Sequence, residues 1–110
     1  MAVTDGDEAR VIRLLAQDVT ATLGTGHEDR IRDTAVRVRG FRDDPDDYLE
    51  KVVEDVQQEL HDLFIDPTWP RCPVHSQHPL WLRDGHWMCT QTDTRIAAFG
   101  ELHSAVEPGR

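Results

Sequence analysis

The stretch CPVHSQHPLWLRDGHWMC, residues 72–89, contains both cysteines of the 110-residue chain and three of its six histidines. Cysteine thiolates and histidine imidazoles are the ligands that zinc prefers in proteins. The fold of the C-terminal half therefore depends on one question: whether these side chains surround a metal ion or pack as ordinary core and surface residues.

A β-hairpin is predicted inside this stretch, because Asp84-Gly85 is a strong signal for a two-residue type I′ turn, which needs positive φ at both positions. The turn sets the register and pairs Arg83 with His86, Leu82 with Trp87, Trp81 with Met88 and Leu80 with Cys89. Side chains alternate between the two faces of a strand. Cys89 is therefore expected on one face, with Leu80, Leu82 and Trp87, and His86 on the other.

Four side chains form the predicted metal site. Cys72 and His75 have the C-x2-H spacing of a zinc knuckle, in which a tight turn directs two side chains at one ion. His78 precedes Leu80 by two residues, so it continues on the face of Cys89 if the strand begins that early. Two thiolates and two imidazoles suit tetrahedral zinc. The predicted ligands are Cys72, His75, His78 and Cys89.

The fourth ligand is open, because an ordinary zinc ribbon would place a second ligand at position 92, which is threonine. In the favoured interpretation His78 supplies this missing ligand. The alternatives are His61, Asp93 or water, and the hairpin register disfavours His86. A water would suit catalysis. The competing interpretations are that the histidines lie at the surface and the cysteines are small core residues, or that the stretch holds another metal or a disulfide.

The run WPRCPVHSQHPLW followed by GHWMC resembles the C-terminal part of small, mostly uncharacterised bacterial proteins. Those proteins carry a W-P-x-C-P-x-H-x-H-P-L pattern and then W-x-C before a last strand. The resemblance covers residues 69–102 and implies a rubredoxin-like or ribbon-like metal knuckle, with no assigned activity. The present chain departs from the pattern in having two residues between its histidines, and Thr90 where a proline is expected.

Two helices are predicted upstream. Asp5 and Glu8 suggest a capping box for the first, and Asp44 followed by Pro45 suggests the start of the second. Apolar residues recur at helical spacing in both. The first stripe comprises Ile12, Leu15, Ala16, Val19 and Leu23, and the second comprises Leu49, Val52, Val53, Val56, Leu60 and Leu63.

A short strand is predicted between these helices, because DTAVRVRGF (residues 33–41) alternates valine with arginine. The predicted fold is therefore α+β: two helices and a short strand, then a zinc-ribbon-like hairpin and a final strand from RIAAFGEL. One domain is expected, with an α-β-α layer over residues 1–66 and the ribbon-like subdomain over 67–110. The rings of Trp69, Trp81 and Trp87 are expected to join the two.

The charge argues against some partners. The chain has 21 acidic and 12 Lys or Arg residues and a formal charge of −9, which repels a phosphate backbone. No apolar run approaches the roughly 20 residues that span a bilayer, and MAVTDGDEAR lacks the features of a signal peptide. We therefore expect a cytoplasmic protein with no nucleic-acid or membrane partner. In that compartment paired cysteines more often bind metal than form a disulfide.

Two classes of function compete at this point. The favoured one is a small acidic adaptor whose zinc is structural and whose surface binds another, basic protein. The alternative is a zinc hydrolase with three protein ligands and a bound water, in which His86 or Asp84 assists proton transfer. The hairpin register disfavours the second, because it turns His86 away from the metal face.

Overall fold

The computed structural model describes residues 2–66, 68–75 and 78–102. These residues form three helices followed by one antiparallel sheet with strand order β1-β2-β3. The elements are α1 Asp5–Leu23, α2 Glu28–Arg39, α3 Pro45–Asp62, β1 Trp81–Arg83, β2 His86–Cys89 and β3 Thr94–Ala98. The α+β class is confirmed.

Helix α1 forms as predicted, but its cap lies one residue earlier. Thr4 is the N-cap: its hydroxyl accepts from the N–H of Asp7 at 3.1 Å, and the Asp7 carboxylate accepts from the Thr4 N–H at 2.9 Å. The predicted cap residues Asp5 and Glu8 instead accept hydrogen bonds from Arg39, each at 2.7 Å. These two ion pairs connect α1 to α2.

The predicted strand at residues 33–41 is wrong, because most of this segment belongs to helix α2. The buried residues Ile31, Thr34, Ala35 and Val38 follow helical spacing and form one face. In a strand Val36 and Val38 would share a face, whereas in the structure the first is 56% exposed and the second is fully buried. The valine-arginine alternation was a coincidence within an amphipathic helix.

Helix α3 is confirmed with its cap, since the Asp44 side chain accepts from the N–H of Asp47 at 3.0 Å and Pro45 opens the helix. The buried face begins at Tyr48, one residue before the predicted Leu49, and the Tyr48 hydroxyl donates to the Ala35 carbonyl at 3.0 Å. The three helices pack together and enclose the larger part of the core.

The hairpin register is confirmed for three predicted pairs: Trp81 with Met88, Leu82 with Trp87 and Arg83 with His86. Asp84 and Gly85 have φ of 51° and 77°, as a type I′ turn requires. The predicted inner face is buried, comprising Leu80, Leu82, Trp87 and Cys89. The last strand, β3, pairs antiparallel with β2 across an irregularity at Trp87 and Met88.

Aromatic rings join the sheet to the helices. Trp69 and Trp87 are buried and meet edge to face, with ring centroids 5.5 Å apart. The Trp69 indole N–H donates to the Thr22 hydroxyl of α1 at 2.7 Å. Trp81 does not take the same role, since it is 42% exposed on the outer face of β1. Two of the three predicted tryptophans therefore link the halves.

A buried carboxylate strengthens this junction. Asp18 of α1 accepts from the Trp87 indole N–H at 2.8 Å, from the Gly100 N–H at 2.8 Å and from the Leu102 N–H at 2.9 Å. Such bonds to a carboxylate are stronger than those between neutral groups. Asp18 therefore fixes β2 and the segment after β3 on α1.

Candidate metal centre

The first two candidate ligands lie on a loop closed by a short backbone pairing. The Leu80 N–H donates to the Pro70 carbonyl at 2.7 Å, and the Cys72 N–H donates to the His78 carbonyl at 3.1 Å. This pairing brings the two ends of the loop together, so that the C-P-V-H turn from Cys72 to His75 projects from a fixed base.

The third candidate ligand arrives from the sheet. Cys89 ends β2 with its side chain on the buried face, and this brings its sulfur to the loop. One ligand atom from each of Cys72, His75 and Cys89 lies within 4.8 Å of the others. The two cysteines are 1% and 2% exposed, and His75 is half-buried. The structure thus brings together residues 17 positions apart in a group that could hold a metal ion.

The spacing of these atoms can be compared with that of a tetrahedral zinc site. With Zn–S of about 2.3 Å and Zn–N of about 2.0–2.1 Å, a sulfur and a nitrogen on one ion lie about 3.6 Å apart. The His75 Nδ1 atom lies 3.8 Å from the Cys72 sulfur and 3.4 Å from the Cys89 sulfur. Both distances lie within about 0.2 Å of that value.

His78 lies next to this group but not in it. Its side chain is exposed, and its ring centroid is 6.3 Å from that of His75. Two imidazoles bound to one tetrahedral ion have centroids about 5 Å apart. The His78 ring would therefore have to change its position to share an ion with His75, and the His78 N–H donates to the His75 carbonyl at 2.9 Å.

The other residues considered as fourth ligands lie elsewhere. His86 is on the opposite face of the hairpin, where its Nδ1 atom is 3.1 Å from the Asp84 carbonyl oxygen. His61 lies at the end of α3 beside Asp62 and is mostly exposed. Asp93 is exposed in the loop between β2 and β3. Among the described residues, none of these three belongs to the group formed by the cysteines and His75.

The surroundings of Cys89 favour its thiolate. The pKa of this thiol is lowered to about 6, chiefly by the Thr92 hydroxyl; burial opposes the shift, while the Thr92 N–H, Cys72 and His75 support it. The Thr92 hydroxyl also lies 2.9 Å from the Thr94 hydroxyl.

Thr92 is the residue whose role the sequence interpretation missed. It stands where a zinc ribbon would carry a second ligand, and it was considered only as an absent ligand. In the structure its hydroxyl and N–H act to lower the pKa of Cys89. A C-x2-T spacing after a strand is the signal that could have indicated this, since a tight turn brings position 92 close to the Cys89 sulfur.

Comparison with protein-family models, with curated proteins and with solved structures finds no match to this chain. The resemblance to small bacterial proteins with a C-P-x-H motif therefore stays a prediction. No helix within the described residues has the length and apolar character needed to cross a membrane. What can be assigned directly is an α+β chain with a Cys-His-Cys group able to hold a metal ion.

Proposed function

We propose that the chain is a small acidic adaptor protein that binds one structural zinc ion and uses its surface to bind another protein. Cys72, His75 and Cys89 supply three ligands, and His78 supplies the fourth after its ring changes position. The zinc joins the loop to β2 in the manner of a zinc ribbon.

The observation that carries the zinc proposal is the spacing of the sulfur and nitrogen atoms around His75. The donor types support the same metal: thiolate with imidazole is typical of zinc, whereas calcium and magnesium take oxygen ligands. The lowered pKa of the Cys89 thiol also favours cation binding, since the thiolate is the form that binds a metal.

The position of the group supports a structural role. Cys72 and Cys89 belong to the same buried cluster as Trp69, Trp87 and Leu80. An ion there would connect the loop that carries Cys72 to the end of β2, where Cys89 lies. Structural zinc sites are typically closed by four side chains and contribute directly to folding.

The adaptor part of the proposal rests on charge and on the surroundings of the site. The formal charge of −9 favours a basic partner through long-range attraction. The Cys89 thiol lies 3.4 Å from the His75 imidazole, but among the described residues no group other than the two cysteines is hydrogen-bonded to that imidazole to orient it, as a hydrolytic triad requires. A binding role is therefore the simpler interpretation.

Elemental analysis of protein purified without added metal tests the zinc proposal. We expect about one zinc per chain, retained through gel filtration, and its loss in Cys72→Ser. His86→Ala is the matched control, because His86 lies on the opposite face of the hairpin and should leave the metal content unchanged. A folded wild-type protein free of metal would contradict the proposal.

A zinc hydrolase is the second candidate, favoured by one observation: the described group has three members and His78 lies outside it. Three protein ligands and a water are typical of catalytic zinc. Cobalt substitution separates the candidates, since the visible spectrum of Co²⁺ differs between a closed S2N2 site and a site that holds water. A spectrum that shifts on addition of small anions would support the hydrolase and count against the adaptor.

A further inference from the structure

A groove runs between helix α3 and the hairpin, on the opposite side of β1 from β2. It contains a cavity of about 600 Å³, and two smaller cavities share some of its lining residues. Glu50, Glu54 and Gln57 line it from α3, and Trp81, Leu82 and Asp84 line it from the hairpin. We refer to this cavity as the α3–β1 groove.

One wall of the groove is the free edge of a sheet. β1 pairs only with β2 in the described sheet, so its other edge faces the groove. In a two-residue hairpin the residues that flank the turn, here Arg83 and His86, exchange backbone hydrogen bonds with each other. Along β1 every second residue, counted from the one before Arg83, then points its backbone N–H and C=O away from the partner strand. Leu80 and Leu82 therefore direct their N–H and C=O groups away from β2.

The bonds of Leu80 confirm this direction. Its N–H donates to the Pro70 carbonyl at 2.7 Å, and its carbonyl accepts from the Gln57 side chain at 3.0 Å. The outward groups of Leu80 are thus used within the molecule. Those of Leu82, one repeat further along the strand, point in the same direction by the alternation of the strand, and Leu82 lines the groove together with Glu50 and Glu54. An extended segment placed there can continue the sheet.

The charges of the groove select a basic occupant. Three carboxylates, those of Glu50, Glu54 and Asp84, line the largest cavity, against the single cation Arg83. Among the described residues Glu50 makes no ion pair, and its pKa is raised, first by partial burial and then by the charge of Asp84. A cation brought between these carboxylates would relieve their repulsion.

An aromatic ring lies beside these acids. Trp81 is 42% exposed and lines both the largest cavity and the next one. An arginine side chain can stack its planar guanidinium on an indole while its N–H groups reach carboxylates. The groove therefore combines an exposed indole, neighbouring carboxylates and an open strand edge. These are the features that would bind an extended segment carrying an arginine.

We propose that the α3–β1 groove binds an extended segment of a partner protein that adds as a strand to β1 and places an arginine between Trp81 and the carboxylates of Glu50 and Glu54. This inference rests on the adaptor role proposed above and specifies the partner surface. Affinity comes from the backbone bonds to Leu82, and specificity comes from the arginine.

The probe is a set of dye-labelled hexapeptide pools, acetylated and amidated, with strand-forming Val, Thr and Ser at five positions. The remaining central position is fixed as arginine, glutamate or alanine. Fluorescence anisotropy with the zinc-loaded chain should show that the arginine pool binds at least about tenfold more tightly than the glutamate and alanine pools. The binding of the arginine pool should weaken as salt is added. Equal binding of the three pools would overturn the proposal.

Two variants and one peptide modification test the geometry. Glu50→Gln combined with Glu54→Gln should weaken the arginine pool about tenfold, whereas Asp33→Asn with Asp43→Asn, which removes the same charge from exposed positions, should not. N-methylation of the backbone at the arginine and its neighbours should also weaken binding. Unchanged binding after N-methylation, or equal competition by free arginine amide, would identify a small cation site and overturn strand addition.

Failure of this inference can be told apart from failure of the adaptor role. The zinc-loaded chain is immobilised, and the proteins that it captures are compared between wild type and the Glu50→Gln, Glu54→Gln variant. A stoichiometric partner that wild type and the variant bind equally would contradict the proposed role of the groove and would be consistent with the adaptor role. Absence of any partner, together with no preference among the peptide pools, would overturn both.

Discussion

The helical half and the sheet half of this chain are stabilised in different ways. Helices of 19, 12 and 18 residues bury continuous apolar stripes against one another. The strands have only 3, 4 and 5 residues, too few to form a stable sheet alone. In the described part of the chain, eight residues of the buried hydrophobic core follow residue 66, and two of them are the cysteines. The second half therefore depends on cross-links where the first depends on packing.

The cross-links of the sheet half are of three kinds. The Cys72–His75–Cys89 group connects the loop to β2. Asp18 connects Trp87 and the segment after β3 to α1. Gln57 of α3 donates to the carbonyls of Trp69 and Leu80 at 3.2 and 3.0 Å. Each is a polar or ionic contact, so single substitutions there should have larger effects than in the helices.

The largest effect is expected at the proposed zinc site. Cys89→Ser removes a proposed ligand at the end of β2 and should lower the free energy of unfolding by roughly 5 kcal/mol or more, because metal binding and folding would be coupled there. Limited proteolysis should then cut within residues 68–102 while the helices stay resistant. His86→Ala is the control, and equal stability of the two variants would mean that the sheet half does not depend on a metal.

The next effect is expected at Asp18. Asp18→Asn replaces an acceptor with an amide whose NH2 group faces the N–H donors of Trp87, Gly100 and Leu102, so at least one buried donor loses its partner. We expect a loss of about 3 kcal/mol in urea denaturation and a weaker near-ultraviolet dichroism from the tryptophans. The same change at the exposed Asp33 should cost less than about 0.5 kcal/mol. Similar values would show that the carboxylate is not a junction.

The hairpin could be predicted because its signals are local. Asp84-Gly85 defines the turn type, and the alternation of side chains then places Leu82, Trp87 and Cys89 on one face. Helices α1 and α3 could be predicted for a similar reason, since each carries a cap and a stripe at helical spacing. The proximity of Cys72, His75 and Cys89 also followed from register and spacing.

What could not be predicted depends on contacts between distant residues. Helix α2 was missed because its charged outer face interrupts the apolar stripe, and only packing against α1 and α3 shows that Val36 lies outside the core. The effect of Thr92 on the pKa of Cys89 depends on the conformation of the loop between β2 and β3. Asp18 was missed because its partners lie 69 to 84 residues away.

The helical half offers a matched pair of valines with which to test α2. Val38→Ala removes two buried methyl groups and should lower the free energy of unfolding by about 2 kcal/mol. Val36→Ala affects an exposed position, where alanine is the better helix former, and should be neutral or slightly stabilising. Chemical denaturation of both variants gives the comparison. Equal losses would indicate that the two valines share a buried face, as in a strand.

The smallest effect is expected at the N-terminal cap of α1, and it should depend on pH. The pKa of Asp7 is lowered, first by the N–H of Thr4 and then by its hydroxyl. A carboxyl group with a lower pKa in the folded state stabilises the fold above its unfolded pKa of about 3.9, and this contribution disappears as the pH falls through the folded value. Wild type should therefore be more stable than Asp7→Asn at pH 7, and the difference should shrink below about pH 4.

Thermal unfolding at pH 7, 4 and 3 measures this difference. Thr4→Ala should reduce the pH-dependent part, because it removes the hydroxyl and keeps the backbone N–H. A difference that is the same at all three pH values would mean that the capping box contributes through its shape and not through the charge of Asp7.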